Sequence, residues 1–198
     1  MAENTQESAR GQISLDLLAN RDRCPRGRRP DRPVGTRGFR LNFTAWRIVK
    51  RKFRKVAFTG EGARRYGGRW NSKGTAVVYV AQSQSLAALE ILSHTESEEL
   101  LRYYVAISVS FDSRLVADVD VSSLPKNWKT YPAPRSLRAI GDAWVSSGKS
   151  AVLRVPSVLV PSESNFLLNP RHPEYTNLVI GEPLPFSFDP RLFRRSLK

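Results

Sequence analysis

AVVYVAQSQSLAALEILSH, residues 76–94, carries the change of period on which the fold reading turns. Its first six residues form an unbroken, β-branched apolar run of the length of a buried strand. Ser83 or Ser85 then offers an N-cap hydroxyl, and Leu86, Leu89 and Leu92 recur at helical spacing, so a helix follows and ends near His94. Repeated regularly, such a unit would give a parallel α/β sheet. It is not repeated. Residues 104–111 alternate, with Val105, Ile107, Val109 and Phe111 on one face and Ala106, Ser108 and Ser110 on the other, which predicts a half-buried strand. Residues 45–49 and 115–121 read as further strands, 124–134 as a loop, 136–147 as a helix stopped by Gly148, 151–160 as a strand broken by Pro156, and 177–180 as a late strand. Strands outnumber helices without alternating with them, so the fold class is α+β.

The 198 residues suit one domain, and 40% hydrophobic content is enough for a core. The lone Cys24 can form neither an internal disulfide nor a cysteine zinc site, which points to a reducing cytoplasm. Neither a signal peptide nor an apolar run approaching the ~20 residues of a membrane helix is expected. The net charge of +14 suggests nucleic acid until it is divided. Residues 1–65 hold 17 Lys and Arg against 6 Asp and Glu; residues 66–198 hold 15 against 12. Eight arginines and three prolines fall within residues 21–40, so residues 1–40 read as a basic, disordered arm and residues 41–198 as the folded domain.

Several motifs fail on inspection. Gly148-Lys149-Ser150 resembles the end of a P-loop, but Ala143 stands where that loop needs glycine and a helix precedes it. His94 and His172 are far apart in unlike contexts and suggest capping or core roles; no metal site is expected. The dense signal is GEGARRYGGRWN, residues 60–71. Its glycines permit close backbone approach, its arginines offer donors for phosphate or carboxylate, and Tyr66 and Trp70 offer rings for a stacked base. Tyr79 lies in the buried strand, and its hydroxyl needs a partner or a cleft. Glu90 falls at the edge of an apolar helix face, where a carboxylate is costly unless paired or used. Val155-Pro156-Ser157, followed by Glu163 and Asn165, reads as a cleft rim.

Taken together, AWRIV at 45–49, GEGARRYGGRWNSKG at 60–74, VVYVA at 77–81, LAALEILSH at 86–94, VPSVLVPSESNFLLNPRHP at 155–173 and FDPRLF at 188–193 resemble the RES domain family, toxin components of bacterial toxin–antitoxin pairs. The resemblance implies an ADP-ribosyltransferase-like fold of small mixed or antiparallel sheets with flanking helices. It also implies an enzyme that cleaves the nicotinamide–ribose bond of NAD. Water or inorganic phosphate would be the acceptor, and modification of a protein target is the alternative. On this resemblance Glu90, Arg69 and Ser157 are catalytic, and Arg69, Tyr79 and Arg47 bind NAD; the rings of Tyr66 and Trp70 in the glycine-rich block join them as NAD-binding residues, and Glu163, which departs from the family pattern by lying near Ser157, competes with Glu90 as the key carboxylate. No cofactor is implied beyond NAD as substrate and phosphate as co-substrate. The implied partner is an antitoxin covering the cleft, in a homo- or hetero-oligomer, with nucleic acid reached only through it. A basic nucleic-acid-binding protein and a catalytically silent scaffold are the readings from other classes.

Overall fold

Eight strands form one sheet in the order β4–β5–β6–β2–β1–β3–β7 in a computed structural model that describes residues 42–94 and 103–193. The strands are β1 (Asn42–Lys50), β2 (Val78–Ala81), β3 (Tyr104–Asp112), β4 (Val116–Asp118), β5 (Val152–Pro156), β6 (Ser164–Leu168), β7 (Val179–Ile180) and β8 (Leu184–Phe186). The helices are α1 (Glu61–Tyr66), α2 (Gln84–Leu92) and α3 (Arg135–Ser147). β8 joins β7 along the outer edge of β3. Every pairing is antiparallel except β4 with β5, which α3 connects as a crossover. The sheet is therefore mixed and the class is α+β, as the uneven strand and helix order predicts. The basic stretch at 1–40 lies outside the described residues.

The pairing is uneven. β1 runs beside β3 from Asn42↔Asp112 to Lys50↔Tyr104, and β6 is fully paired with both β2 and β5. Between β1 and β2 there is a single registered pair, Trp46↔Ala81. The sheet is thus two well-knit halves joined at a narrow seam.

Side chains alternate across this sheet. One face buries Ala45, Val78, Val80, Val109, Phe111, Phe166 and Leu168. On the other, α3 covers Trp70, Leu153 and Leu167 with Leu137 and Trp144, while α2 covers Ile48, Ala81, Tyr104 and Ala106 with Leu86 and Ala87. Complete burial of Leu86 contributes roughly 2–3 kcal/mol relative to exposure. The α2 cover also explains why β3 departs from strict alternation: Tyr104 through Ile107 are buried on both faces.

Three local structures go beyond what the sequence pattern shows. The glycine-rich block contains a helix, α1, although its four glycines favour a loop. Gly60 enters it at φ 73°, and Glu61 holds Arg64 at 2.7 Å and Arg65 at 2.6 Å, the i,i+3 and i,i+4 contacts that a helix brings together. The segment after Pro156, read as a cleft rim, turns at once and returns as β6. The basic run after β1 coils into a short 3-10 turn, Arg51–Val56. Among the described residues no helix is long and apolar enough to cross a membrane.

Candidate active site

Tyr79 organises one wall of the site. It sits in β2 opposite Leu167, on the face that carries α2 and α3. Its hydroxyl accepts from the Trp70 N–H at 3.0 Å and donates to Asn71 Oδ1 at 2.7 Å. Burial pushes the phenol well above its usual range, with the Trp70 N–H pulling the other way. Asn71 is fully buried, and its Nδ2 donates to the carbonyls of Ala63, Ser72 and Thr75 at 3.0, 3.1 and 2.9 Å. One asparagine thus closes α1 and the following loop onto the Tyr79 hydroxyl. Gly68 allows that approach, because a Cβ there would lie 2.5 Å from the Tyr79 oxygen.

α3 fixes the same loop from outside. Asp142 Oδ1 accepts from the Ser72 N–H at 3.0 Å, and Gly141 lies so close to the Trp70 carbonyl that any side chain would overlap it. Burial raises the Asp142 carboxyl's pKa, but the hydrogen bonds from Ser72 and Thr75 outweigh it and leave the value below the ordinary 3.8. Arg138, one turn earlier on α3, has a buried Nε without a hydrogen-bond partner among the described residues.

Arg69 is directed away from the core by its neighbours. The Trp70 ring goes inward, 2% exposed, against Leu137, Trp144 and Leu167. Arg69 then reaches across to the loop before α3, where Nη1 donates to the carbonyls of Trp128 and Thr130 at 2.8 and 3.1 Å. Of the three arginines in the glycine-rich block, Arg64 and Arg65 are ion-paired with Glu61, whereas Arg69 meets carbonyls alone. Tyr66 is 79% exposed at the end of α1, with its ring open to stacking.

α2 supplies the carboxylate. Ser83 caps it by accepting from the Leu86 N–H at 3.0 Å, and the same hydroxyl donates to Glu163 Oε2 at 2.6 Å. Two turns on, half-buried Glu90 accepts from Asn165 Nδ2 at 2.8 Å. Glu163, the rival carboxylate, is therefore occupied in holding the helix start. Asn165 pairs with Ala81 in β2 and Val155 in β5, so Glu90 stands over the same face as Tyr79.

Arg47 lies at the seam. Its Nη1 donates to the Tyr79 carbonyl at 2.6 Å, and its Nε is buried without a partner among the described residues. Burial lowers the guanidinium to about 10, and the Tyr175 phenol is the one group that raises it. Tyr175 is itself held by donating to the Phe58 carbonyl at 2.7 Å, and burial pushes it up to about 12.

Two of the expected site residues are buried. Trp70 was expected to meet the dinucleotide, but its ring is a packing group of the core. Ser157 was expected to be catalytic, yet it is wholly buried, and its hydroxyl accepts the N–H groups of Leu159 and Val160 at 3.1 Å each. It shapes the turn between β5 and β6. His172 caps the 3-10 turn Pro173–Asn177 by accepting from the Glu174 N–H, in line with the capping reading.

Comparison with known proteins bears on this arrangement. The family model described as RES domain matches residues 44–189. The chain belongs to the RES domain family. A protein named Toxin Res from Yersinia enterocolitica is 43% identical over 148 residues, covering 74% of this chain and 97% of that relative. A protein named Prs ADP-ribosylating toxin from Sphingobium is 38% identical over 156 residues, covering 76% and 97%. A chain of the Mycobacterium tuberculosis MbcT–MbcA toxin–antitoxin complex shares the fold, with a TM-score of 0.59 at 20% identity, over 75% of this chain and 86% of that one.

In this RES domain, sequence reasoning singled out Arg47, Arg69, Tyr79 and Glu90 but passed over Asn71, Arg138, Asp142 and Asn165. Asn71 and Asn165 stood inside quoted motifs, yet an asparagine beside glycines or after a proline ordinarily signals a turn. Asp142 and Arg138 have the spacing of exposed helix positions, and nothing local shows which loop they meet.

Proposed function

We propose that this RES domain protein is a toxin that cleaves the nicotinamide–ribose bond of NAD. The observation that carries the reading is the pair of buried guanidinium nitrogens, Arg47 Nε and Arg138 Nε, left without acceptors among the described residues. Buried donors are ordinarily satisfied, and each exception calls for an explanation. The Arg47 guanidinium holds the Tyr79 carbonyl, and the Arg138 and Arg69 charges act on the Tyr79 hydroxyl. Phosphate oxygens would supply the missing acceptors, and Tyr66 offers a ring to a base.

Cleavage breaks the C–N bond with its electron pair passing to the nicotinamide nitrogen, which is thereby neutralised and needs no general acid. The ribose becomes oxocarbenium-like, and a fixed carboxylate beside it stabilises the developing positive charge. Glu90 takes that role. A water or phosphate oxygen then closes the new bond to ribose, and water's proton is released to solvent. Arg69 and Arg138, whose charges act on the Tyr79 hydroxyl, hold the diphosphate on that face, Arg47 meets it from the other side of the seam, and Tyr79 borders the nicotinamide. NAD is substrate in this reading, and the chemistry requires no further cofactor. The Sphingobium relative's name favours a second reading, in which a protein side chain replaces water as acceptor. The M. tuberculosis complex supports a cognate antitoxin as partner.

The test is to incubate purified protein with NAD, with and without phosphate, and follow free nicotinamide. Glu90→Gln should lower turnover by about 100-fold or more, the scale set by losing one preorganised electrostatic group. Full activity in that variant, with melting temperature unchanged, would remove Glu90 from the mechanism. No release by folded wild-type protein, with cell extract added as acceptor, would end the NAD reading.

A further inference from the structure

We infer that Asn165 is a positioning residue for the Glu90 carboxylate; this deepens the reading above and rests on it. The Asn165 amide donates to Glu90 Oε1 at 2.8 Å from the second position of β6, where the strand is paired with Ala81 of β2 on one side and Val155 of β5 on the other. A carboxylate at the end of a flexible stem on a short helix is thus referred to a strand hydrogen-bonded on both sides.

The bond is not needed to dock α2. The helix is already fastened at its start by Ser83 and Glu163, and along its length by buried Leu86 and Ala87. Its chemistry is also particular. A lysine or arginine at 165 would hold the carboxylate equally well but cancel its charge. A neutral amide fixes one oxygen and leaves the negative charge for a cation forming nearby. None of the ion pairs found among the described residues involves Glu90. Glu163, in the turn just before β6, and Asn165, within it, divide the work: the first places the helix, the second its carboxylate.

The experiment measures kcat, KM and melting temperature of the whole protein for wild type, Asn165→Ala, Asn165→Asp, Glu90→Asp and Glu90→Asp with Asn165→Ala. Asn165→Ala should lower kcat by roughly 10–100-fold, the cost of a misplaced reacting group, and leave KM within about threefold. Asn165→Asp keeps the shape but sets two carboxylates against each other, so its kcat should fall further. Glu90→Asp withdraws the carboxylate from the amide, so adding Asn165→Ala should then cost less than about threefold. Equal losses in both backgrounds, or kcat within about twofold of wild type in Asn165→Ala, would overturn the inference. A Glu90→Gln enzyme that retained turnover would overturn the mechanism itself, and that outcome is read separately.

Discussion

At the scale of single residues, close approach is the recurring device. Gly68 lets the loop rest on the Tyr79 hydroxyl, and Gly141 lets α3 touch the Trp70 carbonyl. Gly141 sits inside a helix, where glycine costs about 1 kcal/mol relative to alanine. The geometry explains its presence, because a Cβ would stand 1.7 Å from the Trp70 oxygen, which belongs to backbone and cannot swing aside. Gly141→Ala should therefore destabilise the protein by about 3 kcal/mol or more despite alanine's better helix propensity. Urea unfolding would read this as a lower midpoint, and an unchanged or higher midpoint would show that α3 does not bear on the loop.

At the scale of elements, one carboxylate, Asp142, hydrogen-bonds α3 to the loop, and this gives a pH dependence with a definite sign. The Asp142 carboxyl has a folded pKa below its ordinary 3.8, because its hydrogen bonds outweigh its burial. A depressed acid stabilises the fold above the unfolded value and loses that contribution as pH falls through the folded one. Thermal melting of wild type should thus fall between about pH 4 and pH 2 more steeply than that of Asp142→Asn, with both curves flat in this respect above pH 5. Parallel curves would show that the Ser72 contact contributes nothing. The elements also show what the sequence made legible. β2, α2 and α3 were readable because their periods, the Ser83 cap and the Gly148 stop are local signals. α1 was hidden by four nearby glycines, since its support is the ion pairs of Glu61, which exist only once the turn has formed. β6 was hidden because Pro161 and Ser162 suggest a loop, while its strand character comes from pairing with β2, more than eighty residues earlier. Arg69, Tyr79 and Glu90 were legible as a set through family resemblance; Asn165 and Arg138 were not, because their value lies in partners from other elements.

At the scale of the molecule, the seam between β1 and β2 decides how the halves of the sheet communicate. A central strand normally has its amides engaged alternately with both neighbours. β1 meets β3 along its whole length but meets β2 at one registered pair, so the N–H groups facing β2 lack a continuous ladder. Amide exchange along β1 should therefore alternate, slow where the N–H faces β3 and fast where it faces the seam, except beside Trp46. Arg47 bridges this gap through the Tyr79 carbonyl and carries a charge that burial disfavours. A ligand supplying phosphate oxygens to that guanidinium would stabilise the bridge and, with it, the closed seam. Hydrogen exchange followed by NMR, with and without a non-cleavable NAD analogue, tests both statements. The fast set in β1 and the amides of β2 should slow on binding, while the β3-facing set should change little. Uniform protection along β1 in the free protein would show that the halves are already locked together. An Arg47→Met protein whose seam slowed as much as wild type would show that the analogue closes it without the guanidinium.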